Sequence, residues 1–151
     1  MFKHLLVPLD GSTFAESALE YALSLADQYG SDLTLLQVLP PGQYHWEAEM
    51  RAELPHLQEE IQTAETGDAA HYLHQKEDDL RARGYTVTAL VIRGQGVPDA
   101  ILDAAEEEQI DTIVMSTHGL TGVRRWLLGS VASRVVRHAT VPVLLVRNNR
   151  D

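Results

Sequence analysis

With 151 residues, 44% of them hydrophobic, the chain has the size of one domain, residues 1–151, and enough apolar side chain to fill a core. Its 22 acidic against 12 basic residues leave a net charge of −10, which opposes general binding to nucleic acid or to an anionic membrane surface. The absence of cysteine excludes disulfides, thiolate metal ligands and cysteine nucleophiles.

The first apolar run, residues 4–9, reads as a strand covered on both faces and ends at Asp10-Gly11-Ser12. It is too short for a signal-peptide core or a membrane span, so a cytoplasmic protein is expected. Thr13-Phe14-Ala15-Glu16 has the spacing of a capping box. Ala15, Ala18, Leu19, Ala22, Leu25, Ala26 and Tyr29 then recur on one helical face until Gly30 stops it.

Further strands are expected at 33–39, 86–92, 112–115 and 143–146, each separated from the next by helix-compatible sequence. Pro40-Pro41-Gly42 marks a loop, and Pro55 and Gly67 interrupt a polar, helix-prone stretch up to Gly84, where one helix with an irregular beginning is expected. Pro98 suits the first turn of a helix through Ile101, Ala104 and Ala105, and Val131, Val135, Val136 and Ala139 form a stripe after Gly129-Ser130. The alternation predicts an α/β fold: an open five-stranded parallel sheet, Rossmann-like, with helices on both faces.

Chemistry concentrates between Ile113 and Arg147. The fourth strand runs into Met115-Ser116-Thr117-His118-Gly119, and nine residues later Gly129-Ser130 opens a helix. Glycine lets backbone N–H groups approach an anion, and a helix start adds unpaired N–H groups, partial positive charge and a capping hydroxyl. From Arg124 onward the chain carries Arg124, Arg125, Arg134, Arg137, Arg147 and Arg150 against only Asp151, a local basic balance suited to a small anion. In an open parallel sheet a ligand binds beyond the strand C-termini, so strand one, ending in Pro8-Leu9-Asp10, and strand four would flank one crevice. Asp10 repels phosphate and suits ribose, base or a bridging metal; alternatively Asp10 and Ser12 only organise the turn into the first helix.

Several neighbouring features carry less chemistry. His118 reads as a hydrogen-bonding loop residue, with no base or nucleophile arranged around it. Arg124 and Arg125 either screen phosphates or solubilise the surface. Gly94-Gln95-Gly96-Val97-Pro98 lacks the third glycine of a dinucleotide fingerprint and reads as a turn. His71, His74, Glu77 and Asp78 share a helical face without a third convergent metal ligand, so no protein metal site is expected.

The run Leu6-Val7-Pro8-Leu9-Asp10-Gly11-Ser12, the Gly96-Val97-Pro98 turn, the Gly119 to Gly129-Ser130 spacing and Pro142-Val143-Leu144-Leu145-Val146 together resemble the universal stress protein family. Its ATP-binding branch carries Gly, two residues, Gly, nine residues, then Gly with Ser or Thr; here Ser116 replaces the first glycine. The resemblance implies strand order 3-2-1-4-5. It also implies a nucleotide site in which Pro8, Leu9 and Asp10 line the nucleoside, Val38 meets adenine through its backbone, and Met115, Ser116, His118 and Gly119 form the floor. Gly129, Ser130 and Val131 would hold the phosphates. ATP, AMP or another adenine nucleotide is the implied ligand, with Mg2+ on the phosphates. The last strand, as an open apolar edge, suggests a homodimer through Val143, Leu144, Leu145 and Val146; the alternative is a monomer whose 147–151 tail shields the edge. The expectation is a nucleotide-dependent regulator of stress response without catalytic residues. A nucleotide-free interaction protein of the same fold and a slow ATPase are the alternatives.

Overall fold

The computed structural model describes residues 1–39, 55–94, 96–117 and 128–147. Strands β1 (His4–Pro8), β2 (Asp32–Leu39), β3 (Val87–Arg93), β4 (Thr112–Ser116) and β5 (Val143–Val146) alternate with helices α1 (Thr13–Tyr29), α2 (Pro55–Ala82), α3 (Val97–Glu107) and α4 (Ser130–His138). All neighbouring strands pair in parallel, in the order β3-β2-β1-β4-β5.

Each central strand buries side chains on both sides, which is why its sequence is nearly continuous in apolar residues rather than alternating. Leu5, Val7, Leu33, Leu35 and Val114 pack with α1 and α2. Leu6, Leu36, Ile113 and Met115 pack with α3 and α4 on the other face. Odd and even positions of one strand therefore serve two separate cores, since successive side chains point to opposite faces.

Helix α1 starts one residue earlier than the capping-box spacing predicts. Ser12, in extended conformation, is the N-cap and accepts a hydrogen bond from Ala15, while Thr13 is already helical. Glu16 consequently lies past the capping position, and instead accepts from the Tyr72 hydroxyl at 2.8 Å and meets the Lys76 ammonium at 2.8 Å. Burial alone would raise the Glu16 carboxyl, but those two partners outweigh it and hold the group below its ordinary range. Gly30 ends the helix in the left-handed region at φ 67°, as expected, with its N–H bonded to Ala26. Of the predicted apolar face Tyr29 stays exposed, its ring 5.2 Å from that of Phe2.

Gly67 does not interrupt the second helix, which runs through it for 28 residues. Only a narrow stripe of α2 is apolar: Ala69, Leu73 and Leu80 are buried, and the fourth buried position is Glu77. That carboxylate contacts Arg81 at 2.6 Å and His74 at 2.8 Å, and accepts from the Ala89 N–H of β3 at 3.3 Å. Arg81 in turn donates to the Val87 carbonyl, so a charged network seats this polar helix on the sheet. The predicted loop at Pro40-Pro41-Gly42 and the irregular helix beginning lie outside the described residues.

The two helix glycines should respond with opposite sign. A Cβ at helical, exposed Gly67 meets nothing within 4 Å, so Gly67→Ala should stabilise the protein by about 0.5–1 kcal/mol. Gly30→Ala, forced into the left-handed region, should destabilise by about 1 kcal/mol. Urea titrations of both variants check this, and equal shifts would contradict it.

Candidate functional site

The chain reverses its winding at the centre of the sheet. Helices α1 and α2 cover one face and α3 and α4 the other, so the connections leaving β1 and β4 diverge at the strand C-termini. A crevice opens at such a point in open parallel sheets, and ligands bind there.

Pro8 widens it. N–H groups of successive strand residues point to opposite edges. Leu9 donates to the Leu36 carbonyl of β2 at 2.7 Å, which means that position 8 would donate toward β4. Proline has no N–H to give. The β1–β4 register accordingly stops at Leu6↔Ile113, whereas β1 stays paired with β2 through Pro8↔Leu36.

Beyond Pro8 the chain is held by its own side chains. Asp10 Oδ1 accepts from the Ser12 N–H at 2.9 Å and from the Ser12 hydroxyl at 2.5 Å, and the Ser12 oxygen caps α1 through Ala15 at 3.1 Å. Gly11 supplies the positive φ of 80° between them. Asp10 and Ser12 do organise this turn, and the same bonds fix the Asp10 carboxylate at the mouth of the crevice. Leu9, only 3% exposed, turns its side chain into the α1/α2 core, and can meet a ligand only through its backbone.

Across the gap, Met115 is 5% exposed and packs into the α3/α4 core, and Ser116 ends β4. His118, Gly119, Arg124 and Arg125 lie outside the described residues. The chain reappears tied to the strand it left: the Gly129 N–H donates to the Thr117 carbonyl at 2.9 Å, and the Thr117 N–H to Val146 at 3.0 Å. Thr117, which no motif singled out, thereby ties the start of α4 and the neighbouring strand to the end of β4.

Gly129 is the N-cap of α4, and Ser130 its first helical residue. The capping hydroxyl expected from the sequence is therefore absent, because Ser130 lies inside the helix and Gly129 has no side chain. The first-turn N–H groups at Ser130 and Val131 receive no side-chain cap from Gly129, and the helix dipole makes this end attractive to an anion. Arg137 and His138 complement the opposite end. Arg134 is occupied elsewhere: its Nε and NH2 each donate to Asp99 at 3.1 Å, bracing α4 against α3. Val136 departs from the predicted buried stripe and is 44% exposed.

Val38 lies near the end of β2, partly buried against the α3/α4 core. Of the predicted Gly94–Pro98 turn, Gln95 lies outside the described residues, while Val97 and Pro98 already belong to α3 and Gly96 is its N-cap; the Gly94 N–H bonds Leu39 at 3.1 Å, and a Cβ at Gly94 would meet that of Ala100 at 3.3 Å. His71 lies 3.0 Å from the Gln75 amide and His74 beside Glu77, and no cluster of three metal-ligating residues forms among the described residues.

The architecture is that of an open α/β protein whose connections diverge at its winding reversal, an acidic turn following β1 and a helix N-terminus following β4. The model of the universal stress protein family matches residues 1–147, and the chain belongs to that family. Universal stress protein MJ0531 of Methanocaldococcus jannaschii is 32% identical, over 97% of this chain and 83% of its own length. The solved structure of UspA from Lactobacillus plantarum is similar at a TM-score of 0.82 and 28% identity, covering 97% of this chain and 98% of that one. A universal stress protein from Archaeoglobus fulgidus, solved in complex with dAMP, is 26% identical with a TM-score of 0.62 over 96% of this chain and 98% of its own.

Removing the Ser12 hydroxyl breaks the cap and its bond to Asp10 together. Ser12→Ala should destabilise the protein by about 1–2 kcal/mol in urea unfolding. A loss below about 0.3 kcal/mol would show that these bonds do not hold the turn.

Proposed function

We propose that the chain binds an adenine nucleotide, ATP foremost, in the crevice between β1 and β4, and acts as a cytoplasmic, nucleotide-dependent regulator in stress response. The observation that carries this reading is the start of α4: a helix N-terminus capped by a residue without a side chain, tied by Gly129 to the end of β4, facing the gap that Pro8 opens. The dAMP complex of the A. fulgidus relative supports the choice of an adenine nucleotide.

In this reading Pro8, the Leu9 backbone and Asp10 line the nucleoside, with Val38 toward the base. Met115, Ser116, His118 and Gly119 form the floor, and Gly129, Ser130 and Val131 hold the phosphates through N–H groups and the Ser130 hydroxyl. Mg2+ would neutralise phosphate charge while needing few protein ligands. Bound nucleotide is a regulatory signal in this reading, in which the Ser12 hydroxyl beside the Asp10 carboxylate serves the turn and the α1 cap.

The reading includes a homodimer through β5. That strand is the sheet edge, and it leaves Leu144 38% exposed on the face opposite the one Val143 and Leu145 turn to α4. An open apolar edge is closed by a second copy about a two-fold axis. Light scattering should give the mass of two chains, and Leu144→Lys should give the mass of one with the fold retained; a wild-type monomer would overturn the dimer.

Calorimetric titration of nucleotide-free protein with ATP, AMP and cyclic AMP, with and without Mg2+, tests the central claim. Gly129 has φ −57° and ψ 154°, open to any residue, so Gly129→Val should fold. It should nonetheless weaken ATP binding by about tenfold or more, roughly 1.4 kcal/mol, by filling the space phosphate needs. No nucleotide binding at millimolar concentration would favour an interaction protein, rapid turnover would favour an ATPase, and unchanged affinity in the variant would misplace the phosphates.

A further inference from the structure

A second cleft lies on the other face of the sheet. Gln37 and Leu39 of β2 alternate with Leu36 and Val38, whose side chains pack toward α3 and α4, so they face α2 instead. Together with Gly11, Glu65, Asp68, Ala69 and Tyr72 they line a cleft of about 380 Å³, within the size range of small-molecule sites.

Its polar groups are unevenly satisfied. Gln37 stands in an otherwise apolar strand end, and its buried Oε1 is the one such side-chain atom among the described residues without a hydrogen-bond partner. Buried amides are normally paired, and a terminal amide turns over easily to offer either oxygen or nitrogen. At the rim Glu65 is 3.4 Å from Arg93, while exposed Asp68 has no ion pair or hydrogen bond among the described residues. The Tyr72 hydroxyl is committed to Glu16, burial followed by that bond holds the phenol protonated, and the Lys76 ammonium lies 5.1 Å from the ring centroid, so the ring offers the cleft an apolar surface and not a free cation site. With Leu39 and Ala69 it makes an apolar wall.

We propose that this cleft binds a small organic amine carrying a hydrogen-bond donor at its far end. The ammonium sits at the Asp68 carboxylate, the apolar body lies on Leu39, Ala69 and the Tyr72 ring, and the far donor meets the Gln37 amide oxygen once the amide turns it from its buried position into the cleft. Carboxylates at the rim exclude anions, which separates this site chemically from a phosphate-binding crevice. Through Gly11 the cleft adjoins the Asp10–Ser12 turn, but the groups proposed to hold the amine, Gln37 and Asp68, are not among those proposed to hold the nucleotide.

Tyramine has this shape, phenethylamine lacks only its hydroxyl, and 3-(4-hydroxyphenyl)propanoate reverses its charge. Calorimetry with the full chain should show tyramine binding about fivefold tighter than phenethylamine, and no binding of the propanoate. In Gln37→Leu the preference for tyramine should vanish, while Asp68→Asn should weaken both amines by about threefold or more. Asp68 is exposed, so that variant keeps the test intact even if Gln37→Leu fails to unfold cooperatively. Gly129→Val should bind tyramine as the wild type does, which tells failure of this site from failure of the nucleotide site. Absence of tyramine binding at 10 mM (about −2.7 kcal/mol), or equal tyramine affinity in wild type and both folded variants, would overturn the proposal.

Discussion

The structure depends on the strand that begins it. Because β1 is central, it must pair on both edges, yet at Pro8 it can continue pairing only toward β2. A single missing N–H therefore coincides with the place where helices leave on opposite faces. The two effects reinforce one another: diverging connections leave a gap above β1 and β4, and the shortened ladder prevents the strands from closing it.

The walls of that gap differ in what holds them. On one side Asp10, Gly11 and Ser12 form a closed chain of local hydrogen bonds that would persist with the crevice empty. On the other, α4 begins at a glycine, so its first N–H groups receive no side-chain cap. Arg134 is held by Asp99, which leaves the described part of that wall relying on backbone dipole rather than on side-chain charge. In the proposed reading, a protein with net charge −10 would thus hold a small anion locally without becoming a general polyanion binder.

Helix α2 shows how a polar segment joins a core. Its apolar stripe is narrow, and the Glu77–Arg81–His74 cluster bridges it to the β3 backbone. Removing Arg81 would leave the buried Glu77 carboxylate without its ion pair, so the cluster specifies seating more than it adds net stability. Its presence explains why the stretch before Gly84 reads so weakly: the residues that dock the helix are charged, and their partners are distant in sequence. Gly67 misleads for a related reason, since a single helix glycine costs only about 1 kcal/mol and tertiary contacts on both sides override it.

All five strands, the strand–helix alternation and the α1 stop at Gly30 were legible from the sequence, because they follow from local apolar runs and from glycine's access to positive φ. Membership in the family was legible too, through motifs near strand ends. The start of α1 was displaced by one residue, since choosing between Ser12 and Thr13 as cap depends on where Asp10 places its oxygen. Tertiary structure alone decided that Leu9 and Met115 turn inward while their neighbours border the crevice, that Arg134 belongs to Asp99, and that Gly129 rather than Ser130 caps α4. It alone set Gln37 beside Tyr72 and Asp68. Periodicity records which residues prefer burial, but which face they enter and which polar groups meet there depend on contacts between segments far apart in the chain.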